Sequence, residues 1–187
     1  MNQCGGSAGR HLRHRRPLPA LDRELRKPFS MNTLVADDVR TLWFLNTRVV
    51  IRVSSRDGSD GLSVLEHRAA FGDSPPLHIH YEEDEVFHIL EGEVRYQVAD
   101  TTYRARAGET FIAPKGIPHT YRVEAPEGAR MLTITRGRFE HFVRALGRPA
   151  ETEGMPAPSG PPTPEQAEAL ARACLKFGIE LVGPPLS

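Results

Sequence analysis

Three histidines and a glutamate near the middle of the chain are the residues best suited to chemistry. His78 and His80 are two positions apart, Glu85 follows them, and His119 lies further along the sequence. Alternate side chains of a β-strand point to the same face, with a rise of ~3.3 Å per residue, so His78 and His80 can converge on one ion. Three imidazoles and one carboxylate suit one divalent transition metal ion, and Fe, Ni, Co, Mn, Cu and Zn are all compatible with this set.

Three acidic residues directly precede Glu85 and are alternative carboxylate ligands: Glu82, Glu83 and Asp84. Glu85 opens a predicted strand whose inward face continues through Phe87, so its own side chain is expected to face the interior. We therefore predict that Glu85 is the ligand and that the other three acids form a solvated turn.

The remaining histidines near this region are not expected to bind the ion. His88 is out of phase with Glu85 along the same strand, so its side chain is predicted to face outward. His67 lies on an earlier strand, where a structural or surface role is favoured over ligation. His141 lies on a predicted short helix and is expected to be exposed.

Short strand-like segments separated by turn residues extend from Leu34 to about Ile134. Pairs such as Asp57-Gly58 and Glu91-Gly92 mark the turns. Strands at this spacing, with no helical period between them, predict an all-β sandwich or barrel, and the lack of an internal repeat predicts a single one. The predicted strands cover residues 49–53, 62–70, 86–90, 93–99, 103–107, 110–113, 119–124 and 131–135.

The C-terminal part of the sequence has a different pattern. Apolar residues at helical spacing predict a short helix over Arg138–Leu146, and a Pro-rich spacer follows over residues 148–162. In the last segment, 163–187, Thr163 and Gln166 form a predicted capping box at the start of a helix, and Gly178 is its predicted C-terminal cap. One apolar face of this helix is expected to pack on the barrel or on a second subunit, with its cysteine as a core residue: Ala167, Leu170, Ala171, Cys174 and Leu175.

The overall composition excludes several classes of protein. The formal net charge is zero, which does not favour nucleic acid or an anionic membrane as a partner. Residues 1–30 carry seven basic and two acidic residues, a local charge of +5, and are predicted to be disordered. The favoured interpretation is that they are an upstream extension and that Met31 is the true start. A nucleic-acid arm and a transit peptide are the alternatives. Cys4 and Cys174 are too few for a disulfide framework, and no stretch approaches the ~20 apolar residues of a membrane span, so we expect a cytoplasmic protein.

The spacing of the candidate ligands resembles the first motif of the cupin superfamily. That motif, G-x5-H-x-H-x4-E-x6-G, is matched at every specified position, by Gly72, His78, His80, Glu85 and Gly92. The resemblance implies a single cupin β-barrel, also called a double-stranded β-helix or jelly roll, over residues 31–147.

The second cupin motif, G-x5-P-x-G-x2-H-x3-N, is matched by Gly108, Pro114, Gly116 and His119. Val123 stands where the motif has Asn. That Asn is not a metal ligand in the family, so the departure leaves the implied metal site intact.

Segments outside the two motifs resemble the single-domain quercetin 2,3-dioxygenase-like cupins of bacteria. They are Trp43–Arg48, Gly137–Phe142, Leu146–Ala150 and Gly178–Pro185. This resemblance implies a homodimer that opens the central ring of a flavonol with O2 and releases carbon monoxide. It further implies that Glu85 is the general base for the flavonol 3-hydroxyl. The candidates to line an apolar slot for the substrate are Trp43, Phe87, Phe111, Tyr121 and Met131.

Two other functions are compatible with the same ligands, because a fold does not determine a reaction. One is a metal-assisted isomerase or lyase acting on a small enolisable acid or sugar, which predicts a smaller and more polar pocket and turnover without oxygen. The other is a non-catalytic module that binds a small molecule.

Overall fold

Residues 39–187 are the part of the chain that the computed structural model describes. They form short strands and two short helices. In chain order these elements are β1 (Thr41–Phe44), β2 (Thr47–Val53), β3 (Leu62–Ala69), β4 (Pro76–His80), β5 (Glu85–Glu91), β6 (Glu93–Val98), β7 (Thr101–Arg106), β8 (Thr110–Ala113), β9 (His119–Val123), β10 (Ala129–Arg136), α1 (Phe139–Leu146), β11 (Arg148–Pro149), α2 (Pro164–Leu175) and β12 (Ile179–Pro185).

The strands form two antiparallel sheets that face each other. One sheet has the order β11-β1-β2-β3-β10-β5-β8, and the other has the order β12-β4-β9-β6-β7. Phe87 of β5 and Tyr96 of β6 come from different sheets, and their ring centroids are 5.1 Å apart in the interior. The predicted all-β jelly-roll barrel is confirmed.

The alternation of side chains along strand β10, and its register with the neighbouring strands, determine which side chains enter the barrel. Its buried and half-buried positions alternate, as expected for a strand with one face toward the core. It pairs with β3 through Met131 and His67, and with β5 through Thr135 and Glu85. Because paired residues share a face, this register directs both His67 and Glu85 into the interior.

The buried apolar side chains form two clusters. The first joins the inner face of β1–β3 to α1, α2 and β12, and contains Leu42, Phe44, Val49, Ile51, Leu65, Phe139, Phe142, Val143, Cys174 and Ile179. The second fills the barrel between β5, β6 and β10, and contains Ala69, Phe87, Ile89, Val94, Tyr96, Ala105, Ala113, Val123, Ala129 and Met131. Cys174 is confirmed as a core residue.

The C-terminal segment differs in part from the prediction. The capping box of Thr163 and Gln166 is confirmed, but α2 ends at Leu175 with Lys176 as its C-cap. Gly178 instead has a left-handed φ of +74° and turns the chain into β12, a strand that the pattern did not predict. Two residues of the predicted apolar face, Ala167 and Leu175, are exposed and do not pack on the barrel, Leu175 being 60% exposed, whereas packing of this face on a second subunit stays a prediction.

The Pro-rich segment at 148–162 lies along the outside of β1. Pro149 pairs with Leu42, and the Trp43 indole N–H donates to the carbonyl of Gly154 at 2.9 Å. The predicted extension over residues 1–30 and the beginning of the predicted barrel region lie outside the described residues. Neither helix between residues 39 and 187 has the length and apolar character needed to cross a bilayer.

Candidate metal centre

The four predicted ligands meet at one point between the two sheets. Each of His78, His80, Glu85 and His119, hereafter the ligand group, offers one donor atom, and these atoms all lie within 4.8 Å of one another. Three of the four residues are buried, and His78 is half-buried. The imidazole centroids are 5.2 Å apart for His78–His80, 4.5 Å for His78–His119 and 5.4 Å for His80–His119.

Strand pairing and one tight turn place the ligand group. His78 of β4 pairs directly with His119 of β9, which sets these two imidazoles side by side. The turn before β9 contains Gly116 at a φ of +76°, and its N–H donates to the carbonyl of His80 at 2.7 Å. Glu85 arrives from the opposite sheet at the start of β5, so the barrel must close for the group to form.

In each of the three imidazoles, Nδ1 forms a contact outside the ligand group, which leaves Nε2 directed at the centre of the group. Nδ1 of His78 donates to the carbonyl of Pro76 at 2.7 Å, and Nδ1 of His119 donates to that of Ile117 at 3.0 Å. On the near side, Nε2 of His119 and of His80 lie 2.9 Å and 3.6 Å from one Glu85 oxygen. Metal-binding histidines are commonly held in this way through the second nitrogen, so the donor set fits a divalent transition ion.

The third imidazole is held by a carboxylate that the sequence prediction placed in solvent. Glu83 is 3% exposed, and one of its oxygens lies 3.3 Å from Nδ1 of His80. Its other oxygen accepts the N–H of Phe139 at 3.3 Å, where α1 begins. Residue 137 must be small here, because a Cβ on Gly137 would lie 2.5 Å from that carboxylate. The prediction of a solvated acidic turn is therefore wrong for Glu83, whereas Glu82 and Asp84 are exposed.

The charges in the ligand group favour a cation. Burial alone raises the pKa of Glu85, but His80 and His119 outweigh it and lower that pKa to about 2. Burial, together with His119 and His80, lowers the pKa of His78 to about 3. Burial also opposes protonation of His80, but Glu85 and Glu83 outweigh it and raise its pKa. A buried ionised carboxylate beside imidazoles that can lose their protons is the state that a divalent metal binds.

Replacing Glu83 with Gln is expected to weaken metal binding by about 10–100-fold, the usual effect of losing such a partner of a metal-binding histidine. Gln keeps the size of the side chain but does not carry the negative charge that holds His80. Competition with a chromogenic chelator measures the dissociation constant. The control is Glu82→Gln, at the exposed neighbouring acid, and equal affinities of the two variants contradict this role for Glu83.

Metal affinity is expected to fall as the pH is lowered. The raised pKa of His80 means that a proton occupies its imidazole at lower pH and must leave when the metal binds. The apparent dissociation constant should rise by up to about tenfold per pH unit for each proton released. Chelator competition between pH 8 and pH 6 measures the slope. Glu83→Gln removes one cause of the raised pKa, so its pH dependence should move to lower pH, and an unchanged curve contradicts the assignment.

A cavity of about 470 Å³ adjoins the ligand group. Three of the predicted substrate-pocket residues line it: Phe87, Tyr121 and Met131. The other two do not. Trp43 lies on the outer side of β1, where the Arg148 guanidinium carbon stacks over its indole ring, 4.4 Å from the ring centroid. Phe111 lies behind Phe87, with its ring stacked at 5.1 Å, because β8 is the edge strand next to β5.

Several lining residues were not predicted from the sequence. Six come from the C-terminal segment: Gln166, Leu170 and Cys174 of α2, and Ile179, Leu181 and Pro185 of β12. Phe139 and His67 also line the cavity. The alternation of Leu65, His67 and Ala69 along β3 was the signal that could have placed His67 inside, whereas no local pattern indicates that the C-terminal segment covers the cavity.

The other two histidines of the described residues, His88 and His141, lie where they were predicted. His88 lies outside the cavity lining, and its Nδ1 contacts the hydroxyl of Thr110 at 2.7 Å. His141 is exposed on α1. The period-two argument that separates His88 from Glu85 is thus confirmed.

Comparison with known proteins agrees with this architecture. Residues 66–135, from β3 to β10, match the family model described as the cupin domain, and this stretch contains the whole ligand group. Residues 66–135 of this chain are therefore similar to cupin domains.

A quercetin 2,3-dioxygenase from Bacillus subtilis (strain 168) is 26% identical to this chain over 129 residues, or 68% of it. The chain covers 38% of the length of that relative. An oxalate decarboxylase variant from Bacillus subtilis is 23% identical with a TM-score of 0.47, covering 53% of this chain and 27% of the other. The polyketide cyclase RemF from Streptomyces resistomycificus is 25% identical with a TM-score of 0.44, covering 52% and 69%.

Proposed function

We propose that this protein is a metal-dependent dioxygenase that opens the ring of a flavonol or a similar enolisable aromatic substrate. The observation that carries the proposal is the ligand group, whose buried carboxylate adjoins a cavity of about 470 Å³ with aromatic walls. A volume of this size is typical of sites for drug-sized ligands. The similarity to the Bacillus quercetin 2,3-dioxygenase supports the choice of substrate class.

All four residues of the ligand group can hold the metal, and Glu85 has a second role as the residue that moves a proton. His78, His80 and His119 would hold the ion through Nε2. When bound, the ion supplies Lewis acidity, which lowers the pKa of a coordinated hydroxyl. Glu85 is ionised, because His80 and His119 lower its pKa, and its place in the ligand group beside the cavity lets it accept the proton of the substrate's 3-hydroxyl. Both oxygen atoms of the co-substrate O2 enter the products, and one ring carbon leaves as carbon monoxide.

The cavity walls orient the substrate and exclude water. Phe87 and Tyr96 pack against each other at one side, and Phe139 approaches His80 at 5.6 Å on the other. Flat apolar walls suit a planar aromatic molecule better than a small polar acid or sugar. The lining therefore favours the dioxygenase over a metal-assisted isomerase or lyase.

The proposal is tested with protein reconstituted separately with Fe, Ni, Co or Mn. Quercetin is added without oxygen, oxygen is then admitted, and the flavonol absorbance band and carbon monoxide are followed. We expect oxygen-dependent loss of the band with stoichiometric carbon monoxide. Absence of turnover with all four metals overturns the flavonol assignment, and oxygen-independent turnover of an enolisable acid or sugar points to the isomerase or lyase. Sedimentation velocity of the full chain tests the predicted homodimer.

A further inference from the structure

His67 is a buried histidine whose Nε2 lacks a hydrogen-bond partner within residues 39–187. It lies on the inward face of β3 and is 4% exposed. Its Nε2 is buried and has no hydrogen-bond partner among the described residues. It lines the same cavity as the ligand group but is not part of that group. Native proteins rarely leave such an atom unpaired, because the lost hydrogen bond to water is not replaced.

The surroundings of His67 are apolar. Its ring stacks on Phe139, with centroids 6.1 Å apart and planes 23° from parallel. The residues paired with it on the two neighbouring strands are Val49 and Met131. Burial lowers the pKa of His67 to about 4, although Glu85 and Glu66 act against this. The imidazole is therefore neutral, and no side chain in the described part of the chain forms a hydrogen bond with its Nε2.

We infer that His67 binds a second oxygen of the substrate, a phenolic hydroxyl, while the metal centre holds the first. The inference rests on the proposed function, because it presupposes an aromatic substrate. It narrows the substrate class to polyphenols that carry a hydroxyl at a distance from the enolisable oxygen.

The chemistry of the site selects this functional group. Nε2 of a neutral imidazole is a donor in one tautomer and an acceptor in the other, and a hydroxyl can pair with either. An anionic group is disfavoured, because the walls are apolar and the Glu85 carboxylate acts on the same cavity. An aromatic ring is favoured next to the hydroxyl, because Phe139 is parallel to the His67 ring and continues the flat wall.

The test compares two flavonols that share the metal-binding end. Quercetin has several peripheral hydroxyls, and 3-hydroxyflavone has none. Binding to zinc-loaded protein is measured without oxygen by fluorescence titration, so no turnover is needed. We expect the wild type to prefer quercetin by roughly tenfold, the scale of one hydrogen bond to an otherwise unpaired buried group.

His67→Phe keeps a ring against Phe139 but cannot form the hydrogen bond, so its preference for quercetin should disappear while its affinity for 3-hydroxyflavone stays within about twofold of wild type. His67→Gln restores a donor and an acceptor and should recover part of the preference. His88→Phe, at a histidine outside the cavity, should leave the preference unchanged. Thermal melting of each variant identifies any that fails to fold.

The outcomes separate this inference from the proposed function. If wild type and His67→Phe show the same preference, and quercetin is still turned over, His67 does not bind the substrate and the proposed function stands. If wild type binds neither flavonol, both fail together. If the preference for quercetin is lost in His67→Phe and partly returns in His67→Gln, the inference is supported. This holds even if the wild-type protein binds quercetin without turning it over, a result that would count against the proposed function alone.

Discussion

Replacing Glu85 with Gln is expected to lower kcat/KM for quercetin by about 10²–10⁴-fold, the range for loss of a positioned general base. The carboxylate is buried and ionised, and one of its oxygens lies 2.9 Å from Nε2 of His119. Gln has nearly the same shape and keeps one carbonyl oxygen as a weak ligand, but it cannot accept the proton of the 3-hydroxyl. Three histidines remain to hold the ion, so the loss should fall mainly on kcat.

Metal content must be measured with the kinetics, because loss of the ion would also remove activity. The metal-to-protein ratio by atomic emission and the rate of flavonol loss in the same sample separate the two causes. Glu82→Gln is the matched control, since Glu82 is exposed three positions before Glu85 and makes an ion pair with Arg138 at 3.7 Å. A metal-loaded Glu85→Gln protein with wild-type turnover shows that another group removes the proton.

Replacing His119 with Ala is expected to abolish stoichiometric metal binding. Loss of a hydrogen-bond partner of a ligand already costs about 10–100-fold in affinity, and loss of a direct ligand should cost more. The imidazole of His119 also lies beside that of His78, with ring centroids 4.5 Å apart, so the substitution removes both a donor and a neighbour of His78. The remaining group has two imidazoles and a carboxylate, one donor fewer than the wild-type site.

Thermal melting provides a second readout of this variant. A ligand that binds only the folded state raises its stability, so wild type should melt at a higher temperature with saturating metal than with a chelator. His119→Ala should show no such difference. His88→Ala is the control, because that residue contacts Thr110 outside the cavity. If His119→Ala retains one tightly bound ion per chain, the ligand group is assigned incorrectly.

Much of the fold follows from local patterns in the sequence. The predicted strands at 93–99 and 110–113 correspond to β6 and β8 to within one residue, because turn residues bound them on both sides. Three strands were not predicted, β1, β11 and β12, and the last two contain Pro. Proline removes a backbone donor and weakens the strand pattern, so only pairing with a distant segment reveals such strands.

The sequence by itself determined the ligand group. His78 and His80 share a face because strand side chains alternate, the phase of β5 selects Glu85 over its acidic neighbours, and the turn at Gly116 delivers His119. These relations are local, or depend on motif spacing, so they do not require knowledge of which segment lies across the barrel.

Only the tertiary structure decided what surrounds those ligands. Glu83 supports His80 because the chain near Gly137 packs over it, and His67 enters the cavity because β3 pairs with β10. The cavity gains a wall from β12 because that strand pairs along β4, more than ninety residues away in the sequence. The period-two pattern of a strand predicts which face of the sheet a side chain lies on. Closure of the barrel determines which residues from distant segments lie next to it. The four donors that could bind a metal were therefore predictable, whereas the cavity that adjoins them was not.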